Sequence, residues 1–199
     1  MEKIQIKSIN GQVLFEHECK DNTIKKTLQE AVRWYGADLT GANLAGADLK
    51  GANLAGAVLE GANLSGAVLE GANLYRADLH NAILVGAVLK CANLERTDLV
   101  SANLVSADLV SANLEDANLY RANLNGATLE HANLNGAILA SAILEGANLK
   151  CANLEYTNLR FADLKDTDLK NTNLYHANLK GANLKDADLY RTNLNGAIL

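Results

Sequence analysis

The sequence of 199 residues contains no proline, few aromatic residues and only three cysteines. Cys19, Cys91 and Cys151 are odd in number and widely spaced, which argues against a disulfide framework and favours a reducing compartment such as the cytoplasm. The first thirty residues have no apolar stretch longer than Val13-Leu14-Phe15, so we expect neither a secretory signal nor a membrane-spanning helix. A net charge of -5 argues against a basic nucleic-acid binder.

What the sequence does contain is a five-residue repeat that runs from Ala37 to Leu199. Every fifth residue from Leu39 onward is Leu, thirty-three times without exception. Ala, or five times Thr, stands two residues before each Leu, and the residue between them is most often Asn or Asp. The repeating unit is therefore A-(N/D)-L-x-x, whose period fits neither a helix nor a long strand.

A period of five requires the chain to bend once per unit. Ala and Leu lie two residues apart and project to one side of an extended segment, but an odd period would turn the next pair to the opposite side of a straight strand. Gly fills the last position of the unit thirteen times, as in Leu39-Thr40-Gly41-Ala42, where a type II turn requires a positive φ. Where Arg76, Cys91, Ser101 or Phe161 replaces Gly, we expect other turn geometries.

Short extended segments bent at regular intervals coil into a β-solenoid with Ala and Leu in its lumen. Four units per coil would place residues twenty apart directly above one another. This spacing is supported by an unbroken column of Asn at every twentieth position from Asn53 to Asn193, whereas the other three columns are mixed. Stacked Asn amides can form a hydrogen-bonded ladder along such a face.

The uninterrupted A-(N/D)-L-x-x array over residues 37–199 resembles the pentapeptide repeat family, and thirty-three tandem copies have no competing explanation. The resemblance implies an all-β solenoid, namely a right-handed quadrilateral β-helix of about eight coils. Leu and Ala would face inward, and the Asn/Asp position would face solvent. At the ~4.8 Å spacing of neighbouring strands, the rod would be roughly 40 Å long.

Residues 1–36 lack the repeat and are predicted to cap the N-terminal end of the 37–199 β-helix. Asn10-Gly11 is a strong hairpin signal, and Asn22-Thr23 and Gly36 are the start and stop signals of a short amphipathic helix. The predicted elements are strands at 3–9 and 12–16 and a helix at 24–34. Such a hairpin and helix would cover an exposed sheet edge and an apolar lumen.

The opposite end finishes inside the repeat pattern, at 195–199. Exposed strand edges and apolar lumen residues recruit another chain unless they are covered. We therefore expect either a weak homodimer through the C-terminal coil or fraying of that coil.

Groups with catalytic or metal-binding chemistry are sparse. The strongest candidate is one corner column of the solenoid, formed by Cys91, Ser111, His131 and Cys151. His131 and Cys151 would lie one coil apart, about 5 Å between backbones, and two ligands do not make a zinc site. We therefore interpret these residues as solvated corner positions, and we predict no catalytic residue, no cofactor, no metal ligand and no enzymatic activity.

Two functions remain from different classes. The first is a non-catalytic scaffold or protein-interaction rod with an unknown protein partner. Val85 and Val105 would stack one coil apart with Ile83 on their face, and an exposed apolar patch can be a partner site. The alternative interpretation of these residues is that β-branched side chains simply suit a strand face.

The second function is implied by the family resemblance, because some members mimic DNA and bind type II topoisomerases such as gyrase. Outward-facing side chains carry a net charge of -6 over residues 37–116 and zero over 117–199. Duplex DNA presents one charge per ~1.7 Å, so a rod of ~40 Å would need roughly 24 negative charges. The charge density therefore favours the interaction rod, and we expect no direct binding to nucleic acid or to a membrane.

Overall fold

The computed structural model describes residues 1–20, 23–35 and 38–199. Its regular elements are β1 (Glu2–Lys7), β2 (Val13–Cys19) and α1 (Ile24–Tyr35). From residue 38 onward the chain is a right-handed β-helix made of short parallel bridges, as the sequence predicts. Asn22, Gly36 and the predicted boundary between 36 and 37 lie outside the described residues.

Residues twenty apart are stacked along the whole β-helix. Parallel bridges run from Asp38↔Val58 to Asn178↔Ile198. Each coil bonds to the next in both directions: the Leu119 N–H donates to the Ile138 carbonyl at 2.7 Å, and the Ile138 N–H donates to the Ala117 carbonyl at 2.9 Å. Four five-residue units therefore complete one coil, which confirms the predicted register.

The lumen is filled by the repeat Leu and Ala side chains. Every repeat leucine from Leu39 to Leu179 is at most 2% exposed. The expectation that all thirty-three are buried is wrong for the last coil, where Leu184, Leu189 and Leu194 are only partly buried and Leu199 is 75% exposed. Among the described residues, those four side chains pack only against their own coil and the coil before it.

Threonine replaces Ala inside the lumen without leaving a buried hydroxyl unpaired. Thr97 Oγ1 donates to the Leu74 carbonyl at 2.8 Å, and Thr167 Oγ1 donates to the Leu144 carbonyl at 2.9 Å. These bonds satisfy a group that would otherwise be costly to bury. Thr157 and Thr172 donate instead to the carbonyls of Leu154 and Leu169 in their own coil. Threonine can therefore take the place of Ala because a leucine carbonyl lies within reach of its hydroxyl.

The corners share one backbone geometry whether or not glycine occupies them. The residue before each Ala has a positive φ, which is 66° at Gly41, 55° at Arg76, 54° at Cys91 and 57° at Phe161. The expectation of different turns at non-glycine positions is therefore wrong. Each corner is fixed by bonds to the next coil, such as Cys91 N–H to the Val110 carbonyl at 3.0 Å, and these bonds hold side-chain-bearing residues in a conformation that they rarely adopt.

The N-terminal hairpin continues the edge of the first coil. β1 and β2 are antiparallel with Glu2 opposite Cys19, and their connection spans residues 8–12, longer than a two-residue turn at Asn10-Gly11. Ser8 pairs with Ala42, and the Asn43 N–H donates to the Lys7 carbonyl at 2.7 Å. The hairpin therefore occupies the strand edge that the first coil would otherwise expose.

Helix α1 covers the lumen beside the hairpin. The Thr23 side chain caps the helix by accepting the Lys26 N–H at 3.1 Å, as predicted from its position. Leu28 and Ala31 are fully buried in the same core as the repeat leucines. Lys25 Nζ donates to the Lys50 carbonyl at 3.0 Å and ties the helix to the first coil.

Candidate functional site

Four faces form the outer surface of the rod. Each face is named after the lowest-numbered residue at its middle position, which is the Asn/Asp position between Ala and Leu of the repeat. They are the Asp38, Asn43, Asp48 and Asn53 faces, and each face repeats every twenty residues. The two residues after each Leu form the corner that leads to the next face. Over most of the rod's length, a ligand or partner would therefore meet columns of side chains.

The Asn and Asp residues at the middle positions stabilise the corners. In all twenty-five cases the side-chain Oδ1 accepts the backbone N–H two residues later, at 3.0–3.4 Å. This Asx turn explains why Asn and Asp are preferred at the middle position of the repeat. Val or Ile at the same position cannot accept the bond.

The Asn53 face carries the predicted amide ladder. Asn73 Nδ2 donates to Asn53 Oδ1 at 3.2 Å, and the pattern repeats upward to Asn153. At the next step Asn173 donates instead to Glu155 Oε1, and the ladder resumes from Asn193 to Asn173 at 2.9 Å. The ladder satisfies its amides internally, so this face offers few free polar groups to a partner.

An apolar strip lies along the Asn43 face. It consists of Ile83, Val85 and Val105, and we call it the Ile83 strip. Ile83 and Val85 are each 36% exposed, and the Gly86 N–H bond to the Val105 carbonyl at 3.0 Å places Val105 in the adjoining coil. Ile143 is also exposed on this face, three coils away. The structure therefore places the sequence-predicted patch together on one side of the rod.

An aromatic cluster that the sequence analysis missed occupies a corner of the C-terminal half. The rings of Tyr175 and His176 are 4.1 Å apart, and Tyr156 stacks on His176 at 5.5 Å. The available signal was the twenty-residue spacing of Tyr156 and His176, which places both in one corner column. Phe161, at the next corner, is 59% exposed.

Charged side chains on the Asp48 face and the corner that follows it pair between neighbouring coils. Lys50 contacts Glu70 at 2.9 Å, Lys90 contacts Asp108 at 3.1 Å, and Lys170 contacts Asp188 at 2.9 Å. A hydrogen bond with Glu145 is the main reason that the pKa of Lys165 is raised, and a hydrogen bond from Lys170 lowers the pKa of Asp188. These pairs are exposed and each stabilises the fold little.

The corner column of Cys91, Ser111, His131 and Cys151 shows no assembled site. Cys91 and Cys151 are free thiols, and His131 Nε2 lies 3.8 Å from Glu130 Oε1. Across residues 1–20, 23–35 and 38–199 there is no group of three or more His, Cys, Asp or Glu side chains that could hold a metal ion. Within the same ranges, no helix has the length and apolar character needed to cross a membrane.

Comparison with known proteins gives matches along almost the whole repeat region. Pentapeptide repeats, in eight copies, match residues 35–71, 52–90, 72–116, 87–126, 127–166 and 162–199. No curated protein sequence matches significantly.

Three solved structures illustrate the similarity. HetL, a pentapeptide repeat protein involved in heterocyst differentiation regulation from Nostoc sp. strain PCC 7120, is 37% identical, with 81% of this chain and 84% of HetL covered and a TM-score of 0.52. Rfr23 from Cyanothece 51142 is 39% identical over 46% of this chain and 63% of its own, with a TM-score of 0.45. Trypsin-treated QnrB1, a plasmid-mediated fluoroquinolone resistance protein, is 20% identical over 79% of this chain and 77% of its own, with a TM-score of 0.51, a likeness of fold alone.

Proposed function

We propose that this chain, which belongs to the pentapeptide repeat family, is a non-catalytic scaffold that binds a protein partner through the Ile83 strip. The observation that carries the proposal is the choice of Ile83 at a middle position. An Asn or Asp there would accept the backbone N–H of Val85, as the twenty-five Asn and Asp residues at other middle positions accept theirs. Ile83, like the Val or Ile of six other units, lacks that bond and exposes apolar surface.

The local cost of Ile83 argues against a purely structural explanation. A β-branched residue suits a strand face, but the loss of an Asx bond offsets that gain. Val85 and Val105 extend the apolar surface over two coils at corner positions where charged and small polar residues are common. A contiguous apolar surface on a rigid rod is a typical partner-binding feature.

Affinity capture from native lysate tests the proposal with variants that should retain the fold. Ile83→Asn restores the repeat consensus and the Asx bond, so it should fold at least as well as the natural chain. We expect it to lose a partner that the natural chain captures. Ile143→Asn is the matched control, because it makes the same change on the same face three coils away. Equal capture of every partner by both variants would contradict a role for the Ile83 strip.

The alternative function is a DNA-mimicking modulator of a type II topoisomerase. Its support is the run of acidic residues Asp38, Glu60, Asp78 and Asp98 on one side of the N-terminal half. The same side carries Arg121, Arg160 and Lys180 further along, so its charge is not continuously negative as a mimic requires. We therefore expect no effect of the purified protein in a gyrase supercoiling assay and no binding to duplex DNA at physiological salt.

Self-association through the C-terminal coil is a further proposal about partners. Ile198 and Leu199 are 55% and 75% exposed in this chain, and apolar ends of this kind favour contact with another copy. The contact would cover about one coil's cross-section, and interfaces far below ~1,200 Å² are weak. Light scattering of Leu199→Lys beside the natural chain would test it, with a lower apparent mass expected for the variant.

A further inference from the structure

Within the ranges that the structure describes, the Asp38 face carries charged side chains that form no ion pairs with one another, although Arg121 and Arg160 lie over the rings of Tyr120 and Phe161. Together with the corner that follows it, this face carries seven charged residues. They are Asp38, Glu60, Asp78, Asp98, Arg121, Arg160 and Lys180. In the described part of the chain, none of the seven has an oppositely charged side chain within 4.0 Å, whereas lysines on the other corners pair between coils.

The signs of these seven charges are segregated along the rod. The four acids lie between residues 38 and 98, and the three bases lie between 121 and 180. Hydrogen bonds from Thr40 lower the pKa of Asp38, which favours the charged carboxylate. The face is therefore negative in its N-terminal half and positive in its C-terminal half.

Such a face is complementary to a second copy of itself in the antiparallel direction. Consider a two-fold axis that lies between two copies and runs across their faces at right angles to the rods. We place it between the levels of Val100 and Tyr120, which lie in adjoining coils. This axis places each column of one copy opposite the same column of the other copy, with the coils in reverse order. Glu60 then lies opposite Arg160 of the other copy, and Thr40, beside Asp38, lies opposite Lys180.

The same two-fold axis places large side chains of one copy opposite small residues of the other. The most protruding residues beside the face are Tyr156 and Phe161, which are 56% and 59% exposed. The coil that faces them across the axis carries Gly56 and Gly61 in the same columns. At the centre, Val100 lies opposite Tyr120, so apolar groups meet where the charge changes sign. At the outer levels of the face, bulky residues therefore lie opposite glycines, and acidic levels lie opposite basic ones.

We propose that two copies of this chain form an antiparallel side-by-side dimer through their Asp38 faces. A parallel pair would place acid against acid and base against base, which costs free energy, so the charge order selects the antiparallel arrangement. The face is roughly 40 Å long and at most about 16 Å wide, from eight coil spacings and five extended residues. Such an area falls at the low end of stable interfaces, so the dimer should depend on concentration and salt.

The dimer would leave the proposed partner site free. The Ile83 strip lies on the adjacent Asn43 face, outside the columns that the two-fold axis brings together. A dimer would therefore present two such strips on one particle. The inference goes beyond the proposed function and does not depend on it.

Two charge-reversed variants test the proposal. Arg160→Glu/Lys180→Glu makes both halves of the face acidic. Asp38→Lys/Glu60→Lys places lysines at the two levels that lie opposite Lys180 and Arg160, and it removes the net negative charge of the N-terminal half. All four residues are exposed, and Asp38→Lys removes only one of the twenty-five Asx bonds, so both variants should fold. By sedimentation equilibrium at low salt we expect the natural chain to dimerise and each variant alone to dimerise at least about tenfold more weakly. An equimolar mixture of the two variants should form a heterodimer, because each supplies the charge that the other lost.

A matched control and a cross-link separate this dimer from other contacts. Lys150→Glu/Lys185→Glu reverses the same charges at other corners and should leave dimerisation unchanged. Carbodiimide coupling of mixed isotope-labelled and unlabelled chains should join Lys180 of one copy to Asp38 or Glu60 of the other. A natural chain that stays monomeric at all concentrations would overturn the proposal. So would charge-reversed variants that associate as strongly as the natural chain, since this would indicate an end-to-end contact or another surface.

Discussion

Truncating a leucine in the middle of the lumen should lower the free energy of unfolding more than truncating one in the last coil. Leu119 is fully buried between coils, and its N–H bonds the Ile138 carbonyl at 2.7 Å. Leu194 belongs to the last coil and is only partly buried. The substitution Leu→Ala at these two sites therefore makes the same chemical change in two different environments.

The expected magnitudes follow from burial. Leu119→Ala should lower the free energy of unfolding by about 2–5 kcal/mol, because it removes buried methyl groups and leaves a cavity between two flanking coils. Leu194→Ala should lower it by roughly 1–2 kcal/mol, since part of that side chain already contacts water. Leu119→Asp should prevent folding altogether, because it buries an unpaired charge.

Urea denaturation followed by circular dichroism measures both costs, with Glu115→Ala as a surface control expected within about 0.5 kcal/mol of the natural chain. Amide hydrogen exchange shows which coils are destabilised. A solenoid opens from its ends, and its free energy of unfolding is a sum of contributions from neighbouring coils. Equal costs for Leu119→Ala and Leu194→Ala, or a cooperatively folded Leu119→Asp, would refute the buried-lumen account.

Three further predictions concern the corners and the surface. Asn103→Ala should destabilise the fold by about 0.5–1.5 kcal/mol through loss of its Asx bond, whereas Ile143→Asn should stabilise it by gaining one, both measured by urea denaturation. Ser141→Gly should stabilise the corner by up to about 1 kcal/mol in the same assay, because glycine adopts its φ of 58° without strain. Carboxyl NMR titration should show the pKa of Asp188 below its ordinary value, and the pKa should return toward that value in Lys170→Met. Because the pKa is lowered in the folded state, the interaction with Lys170 stabilises the fold above pH ~4, and this stabilisation is lost as the pH falls through the folded pKa.

The coil register could be predicted from the sequence because it depends only on a strict period. Leu39 and its successors fix what faces inward, and the Asn column from Asn53 to Asn193 fixes how many units complete a coil. The hairpin and helix of the cap were predictable from Asn10-Gly11 and Thr23, whose backbone preferences are local. Each of these features is encoded within a few residues or repeated many times.

The corner geometry and the surface could not be predicted in the same way. Propensity assigns Phe161 or Cys91 a negative φ, but bonds to the adjoining coil override that preference. The ladder break at Asn173 depends on where the flexible Glu155 side chain reaches, which the twenty-residue spacing does not specify. Similarly, the stacking of Tyr156 on His176 depends on side-chain conformations between coils.

Every surface described above rests on the stacking of residues twenty apart, and one engineered disulfide tests that register directly. Ser111→Cys places a second thiol one coil from Cys91 in the same corner column, about 5 Å away between backbones and within the ~7 Å limit for a disulfide. Cys151 lies three coils from Cys91, about 14 Å away, beyond that limit. After mild oxidation, mass spectrometry of unreduced peptides should show position 91 linked to 111 in the variant and no link between Cys91 and Cys151 in the natural chain. A Cys91–Cys151 bridge in the folded natural protein would contradict the four-unit coil.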